Sequence, residues 1–332
     1  MHMPSKFRVF EEHRIPTTGS DLLYAKMMFP KPPVFPKRIV FIPPLIGAGA
    51  SHALIAYRHL TRRGSVLLSF EYSGHPHSTG IFELDKTIID TRNASIWAEK
   101  YANEHGMPLH ALSICYAIVT LAAQFRDREW RCPFLSINSV SGLFSLDRII
   151  QFANFSPIFS RRLGVALDRE LFVQGIQNNA YDWNGAGFRD SLHEFLTGLF
   201  PDINIGIDYF EELAYDKVNI PRTLLQLLHA QYLKGVEVPP EIPCNFFFGR
   251  NDDIMFLTTL EGRETYRRDA LSLIPHASLY EGEFDHYGHG PDHDRVIDKI
   301  ADLFEETESR AAPLTMKLTM KEQMAAHQDV QL

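Results

Sequence analysis

The chain is poor in cysteine, with 3 in 332 residues. That is too few for a disulfide framework, and the paired CxxC spacing of a structural metal cluster is missing. An odd count leaves at least one thiol free. There is no basic excess either. Lys and Arg number 33 against 41 Asp and Glu, a formal net charge of −8, which excludes an extended nucleic-acid surface because displacing counterions takes concentrated Lys and Arg. No apolar run approaches the roughly 20 residues that cross a bilayer, and the N-terminus lacks the charged-then-apolar layout of a signal peptide. A chain without a membrane span, in the cytoplasm, is the expectation. No internal repeat is visible.

What is present fits a soluble globule: 45% hydrophobic and 22% charged residues. The 12% aromatic share, with 24 Phe, suits an apolar pocket as well as a core. The length exceeds that of an ordinary single domain, but a doubly wound α/β core carrying one large insertion reaches it as one unit.

Residues 7–29 read as two strands around a turn at 16–19, followed by the Pro-rich KPPVFP. Arg38 to Ile42 (RIVFI) is a β-branched run; after PPLIGAG, residues Ala53, Leu54, Tyr57 and Leu60 recur at helical spacing up to Gly64. The unit repeats. Residues 66–70 form a strand and EYSGHPHSTG a loop, then 89–101 form a helix with Ile96 and Trp97 inward, closed by Gly106. Residues 109–113 are the next strand, Cys115 stands at its end, and Ile118, Leu121, Ala122 and Phe125 make one face of the following helix. Alternating β and α imply a parallel sheet.

Strands at 134–139 and 245–248 are separated by about 100 residues, far beyond an ordinary βα connection. Helical periods in SLDRIIQFANF, SLHEFLTGLF and TLLQLLHAQYL make that stretch an inserted, largely helical cap between the sixth and seventh core strands. A last strand at 276–281 and a helix beginning near Asp292, with Val296, Ile300 and Phe304 inward, complete the core. The expected organisation is a core of 1–141 and 241–306, a cap of 142–240 and a polar, loosely ordered tail of 307–332.

The chemistry centres on Ser113-Ile114-Cys115-Tyr116-Ala117. A nucleophile on a sharp strand-to-helix turn is flanked by small residues two positions away, because bulky ones clash with the adjoining elements. Taken alone, a free cysteine is more often a small core residue; two segments further along the chain reverse the odds. After the cap, FFFGRNDDI is an apolar strand ending in an acidic loop, with Asp252 the expected acid and Asp253 its reserve. After the last strand comes Asp285-His286-Tyr287-Gly288-His289, with His286 the expected base and His289 in reserve. Nucleophile, acid and base thus arrive in one order. A thiol attacks as thiolate, an imidazole takes its proton, and a carboxylate orients and stabilises the imidazolium.

The oxyanion of a tetrahedral intermediate needs two N–H donors, one after the nucleophile and one from the loop after the first central strand. These are the backbones of Tyr116 and of Leu45, the latter in PPLIGAG, where Gly47 and Gly49 let the chain turn closely around a carbonyl. As a phosphate loop that segment lacks the lysine and the glycine spacing, so no cofactor is expected. His75 and His77 have no third ligand nearby, so no metal is expected. Cys132 and Cys244 each precede a core strand and read as packing residues.

At RIVFIPPLIGAGASHALIAYRHL, SGHPHSTG, LHALSICYA, FFFGRNDDIM and EFDHYGHG the chain resembles the α/β-hydrolase superfamily. Within it, the chain is similar to the acyltransferase, or myristoyl thioesterase, family of bacterial bioluminescence, with cysteine in place of the nucleophilic serine. The resemblance covers roughly residues 7–140 and 245–290. It implies an α/β-hydrolase fold with a mostly parallel doubly wound sheet, and attack of Cys115 on an acyl thioester or ester through a Cys115–His286–Asp252 triad. The acyl group then passes to an acceptor, as in an acyltransferase, or to water, as in a thioesterase or carboxylester hydrolase. Cysteine nucleophiles in hydrolase-like polyhydroxyalkanoate synthases and dienelactone hydrolases fit the substitution. The donor is expected to be coenzyme A or acyl carrier protein, the latter through the basic pairs Arg62/Arg63, Arg126/Arg128 and Arg161/Arg162. The competing reading from another class is a binding protein that kept the fold without activity.

Overall fold

In the computed structural model the described residues are 10–45, 49–145, 226, 231–253, 255–286 and 288–328, with side chains described as far as 311. The expected cap, 142–240, falls almost entirely outside them. Strands β1 (Phe10–Pro16) and β2 (Leu22–Met28) form the expected hairpin, and β2 pairs antiparallel with β4 (Ser65–Phe70). From there β3 (Arg38–Ile42), β5 (Leu109–Ile114), β6 (Ile137–Val140), β7 (Cys244–Gly249) and β8 (Ser278–Gly282) continue in parallel, giving the order β1-β2-β4-β3-β5-β6-β7-β8.

Strands β3 through β7 are buried on both faces, apolar throughout most of β3 (RIVFI) but with Asn138 and Ser139 buried in the middle of β6. Alternate side chains divide between two cores. Ile39, Phe41, Phe246 and Phe248 pack with α2 (Leu84–His105), α3 (Ala117–Ala122) and α4 (Leu260–Leu273). Val40, Ile42 and Phe247 pack on the other face with α1 (Ala50–Ala56) and α5 (His293–Gln328). The helix expected up to Gly64 is divided, α1 giving way to a 3-10 segment over Arg58–Arg63. No helix among the described residues is long and apolar enough to cross a membrane.

One expectation needs correction. Ile96 is 51% exposed rather than inward. The buried stripe of α2 is made of small residues, Thr87, Thr91, Ala94, Ala98 and Ala102, and Ile96 lies about 200° around the helix from Ala94. Gly106, at φ +62°, does close that helix. α5 runs past residue 306, the expected end of the core, to Gln328. Ala, Leu, Met, Lys, Glu and Gln dominate there and are strong helix formers. Glu308 is tied to the core, its carboxylate meeting Arg38 Nε at 2.5 Å and Nη2 at 3.0 Å, and His110 Nε2 at 3.1 Å.

Candidate active site

β5 ends at Ile114 and α3 starts at Ala117, so the chain has only Cys115 and Tyr116 in which to reverse. Cys115 takes φ +51°, a left-handed conformation that costs an L-residue roughly 1–2 kcal/mol. Surrounding hydrogen bonds hold it there. The Cys115 N–H donates to Val140 O at 3.3 Å, and the Cys115 carbonyl accepts from Leu143 N–H at 3.0 Å. Ser113 and Ala117, the small flanking residues, are completely buried, whereas Cys115 remains half-buried. The turn aims one side chain out of the sheet and packs the rest.

The expected acid and base, Asp252 and His286, follow the ends of β7 and β8. Asp252 is fully buried. One carboxylate oxygen accepts Met255 N–H at 2.9 Å, and the other lies 3.0 Å from His286 Nδ1. His286 is buried as well, and its second hydrogen-bonding partner is the Cys115 thiol. With Nδ1 engaged by Asp252, Nε2 is the nitrogen left for sulfur. Burial pushes the His286 imidazole down, but the Asp252 carboxylate and the Cys115 sulfur outweigh it and hold its pKa well above the ordinary value.

Gly249 lets these loops meet. A Cβ there would stand 1.9 Å from the Phe284 carbonyl oxygen. Without it, Arg250 N–H bonds Gly282 O at 2.9 Å and Asn251 N–H bonds Phe284 O at 3.2 Å, carrying the β7–β8 ladder into the loops that bear Asp252 and His286. The reserve residues stay outside this contact. Asp253 is exposed; His289 is exposed and faces Asp285 at 3.6 Å.

Leu45 lies buried three residues past β3. Tyr116 N–H belongs to the opening turn of α3, where amide hydrogens have no partner within the helix. The Tyr116 phenol is anchored away from the turn, 3.1 Å from Thr87 Oγ1. Sequence reasoning missed Tyr72, whose buried hydroxyl donates to Pro44 O at 3.0 Å and also meets Thr91 and Thr120. The requirement that a buried phenol find a partner was a signal, but which carbonyl it reaches is a tertiary matter. In the same loop His77 pairs with Glu71 at 3.0 Å and His75 packs between Tyr72 and Phe82, so the two histidines hold the loop. Cys132 and Cys244 are free, and burial pushes both thiols up to about 12, which keeps them unreactive. Of the basic pairs, Arg126 and Arg128 are exposed, Arg63 is engaged by Asp302 and Glu305, and Arg161/Arg162 lie outside the described residues.

No protein-family model matches the chain, and no curated protein matches it significantly in sequence. Solved structures do match. A thermostable carboxyl esterase from Bacillus coagulans, solved with glycerol, aligns at a TM-score of 0.56 and 13% identity over 91% of this chain and 99% of its own. A soluble variant of monoglyceride lipase from Saccharomyces cerevisiae, solved with a substrate analogue, aligns at 0.53 and 13% over 92% and 99%. An esterase from Pyrococcus furiosus aligns at 0.51 and 13% over 90% of both chains. With the sheet order above, these likenesses establish the α/β-hydrolase fold.

Proposed function

We propose that the chain is an acyl-processing enzyme in which Cys115 carries the acyl group, His286 moves protons and Asp252 orients and charges His286. The observation that carries this reading is the continuous contact Cys115–His286–Asp252, with the thiol on a left-handed turn and the carboxylate fully buried. His286 Nε2 takes the thiol proton as sulfur attacks the acyl carbonyl. The N–H groups of Leu45 and Tyr116 receive the oxyanion. Collapse expels the donor's thiol or alcohol, which leaves with the proton held by His286. An acceptor then gives its proton to His286 and attacks the acyl-Cys115, and the sulfur departs.

An acyl-cysteine is itself a thioester, so loading it from coenzyme A or acyl carrier protein exchanges one thioester for another at little cost. Loading from an oxygen ester runs uphill. That favours acyl thioesters as donors and transfer to an acceptor as the reaction. Hydrolysis is the second reading, and it draws support from the fold's likeness to enzymes described as esterases and a lipase.

The test is intact mass spectrometry after incubation with medium- and long-chain acyl-coenzyme A, comparing wild type with Cys115→Ala. An acyl adduct on wild type alone supports the reading. Its decay with and without alcohol or amine acceptors separates transfer from hydrolysis. Neither adduct nor turnover from any donor returns the chain to a binding protein that retains the fold.

A further inference from the structure

His59 stands in the 3-10 segment after α1, and His293 and Asp294 open α5. One ligand atom from each lies within 4.8 Å of the other two. His59 Nδ1 is 3.2 Å from Asp294 Oδ1, and the His59 and His293 rings meet edge to face with centroids 5.8 Å apart. The tautomer of His293 is set by its second contact. Its Nδ1 lies 2.7 Å from the Gly288 carbonyl oxygen, an atom that only accepts, so Nδ1 carries the hydrogen and the neutral ring has its lone pair on Nε2. A ring N–H held by a backbone carbonyl, with the opposite nitrogen presented for coordination, is the usual support of a metal-bound histidine.

From this cluster we propose a divalent metal site of zinc type, with His59, His293 and Asp294 as ligands and water completing the shell. Two imidazoles and one carboxylate suit a borderline cation better than calcium or magnesium, which take oxygen ligands. Tetrahedral bonds of about 2.0 Å put ligand atoms about 3.3 Å apart. Asp294, with its side chain 80% exposed, is free to swing by the small distance that contraction needs. The positive end of the α5 dipole acts against a cation there, and the Asp294 carboxylate offsets it. Without metal, the His59–Asp294 contact is a surface pair of small worth, and nothing in it uses the lone pair on His293.

Such a metal has a structural consequence. It ties the segment after α1 to the start of α5 and, through His293 and the Gly288 carbonyl, to the loop two residues beyond His286. The site stands independently of any reaction at Cys115.

Tag-free wild-type protein, stripped with chelator, is titrated with zinc chloride against a chromophoric competitor, with thermal unfolding followed in parallel. The expected result is one zinc bound per chain with a rise in Tm. His59→Ala and His293→Ala each lower the affinity by at least about tenfold, and Asp294→Asn weakens it less while leaving the metal-free fold unchanged by circular dichroism. Zinc uptake and Tm response equal in wild type and the His59→Ala/His293→Ala double variant would overturn the proposal, because the metal would then be held by other histidines of the chain.

Discussion

The hydroxyl of Tyr72 donates to the carbonyl of Pro44 at 3.0 Å. That carbonyl shares one peptide plane with the N–H of Leu45, and the bond is trans, so the two groups point in opposite directions. Holding the oxygen therefore sets the direction of the hydrogen. The Leu45 donor proposed for the oxyanion thus depends on a side chain from the loop after β4. Burial pushes the Tyr72 phenol up, keeping it a donor across the working pH range.

Tyr72→Phe removes the hydroxyl and leaves the ring. The expected result is a fall in kcat of about tenfold with KM little changed, smaller than the hundredfold or more lost when a donor itself is removed. The Pro44 carbonyl loses its partner, at about 1 kcal/mol of stability. Acyl-thioester turnover and urea unfolding check the two effects. An unchanged kcat would mean that the Leu45 peptide is held by something else.

Gly249→Ala tests how the loops that bear Asp252 and His286 meet. The new methyl collides with backbone, the Phe284 carbonyl, and no rotamer removes it. Overpacking of this kind costs about 2–3 kcal/mol, and relief by separating the strands moves Asp252 away from His286. Activity should fall further than the stability loss accounts for, while Cys115 still reacts with iodoacetamide. A variant as active and stable as wild type would contradict the close approach.

Much of this was legible because it is local. RIVFI, with every residue buried, announces a strand covered on both faces. The small residues around Cys115 announce a tight turn. The order of Cys115, Asp252 and His286 matches the order of strands. Burial separates Asp252 from Asp253 and His286 from His289, a difference that adjacent identical or paired residue types do not display. Tyr72 with Pro44 and His59 with His293 are contacts between distant segments, and no periodicity marks them. Ile96 failed for a different reason: α2 packs on Thr and Ala, so side-chain size pointed to the wrong face.

Asp252→Asn keeps the shape of the proposed triad and removes its charge. The Asp252 carboxylate is the foremost cause that raises the His286 pKa, so the imidazole should titrate lower in the variant. Nitrogen-15 NMR of the labelled ring tracks it directly. In wild type this contact contributes stability in full below pH 6.5, the ordinary value, and loses it as pH rises through the higher folded value. Turnover in the variant should drop on the order of ten-thousandfold, because the ring loses its orienting charge. A His286 that titrates identically in both proteins would separate the two residues functionally.

Glu308→Gln tests the contact that carries α5 beyond its expected end. Burial pushes the Glu308 carboxyl up, but hydrogen bonds from His110 and Arg38 outweigh it and hold the group at about 2, against an ordinary 4.5. A carboxylate with a depressed pKa contributes stability that is present above pH 4.5 and lost as the pH falls through about 2. At pH 7 the variant should lose about 2–3 kcal/mol, because the charge of Arg38, only 1% exposed, is left with the Arg63 carbonyl at 3.1 Å and the more distant Glu305 carboxylate at 3.7 Å. Denaturant unfolding of both proteins from pH 7 down to pH 3 should show the gap narrowing below pH 4.5, where the unfolded chain takes up the proton that folded Glu308 still refuses. A gap independent of pH would assign the loss to packing rather than to the charge of Glu308.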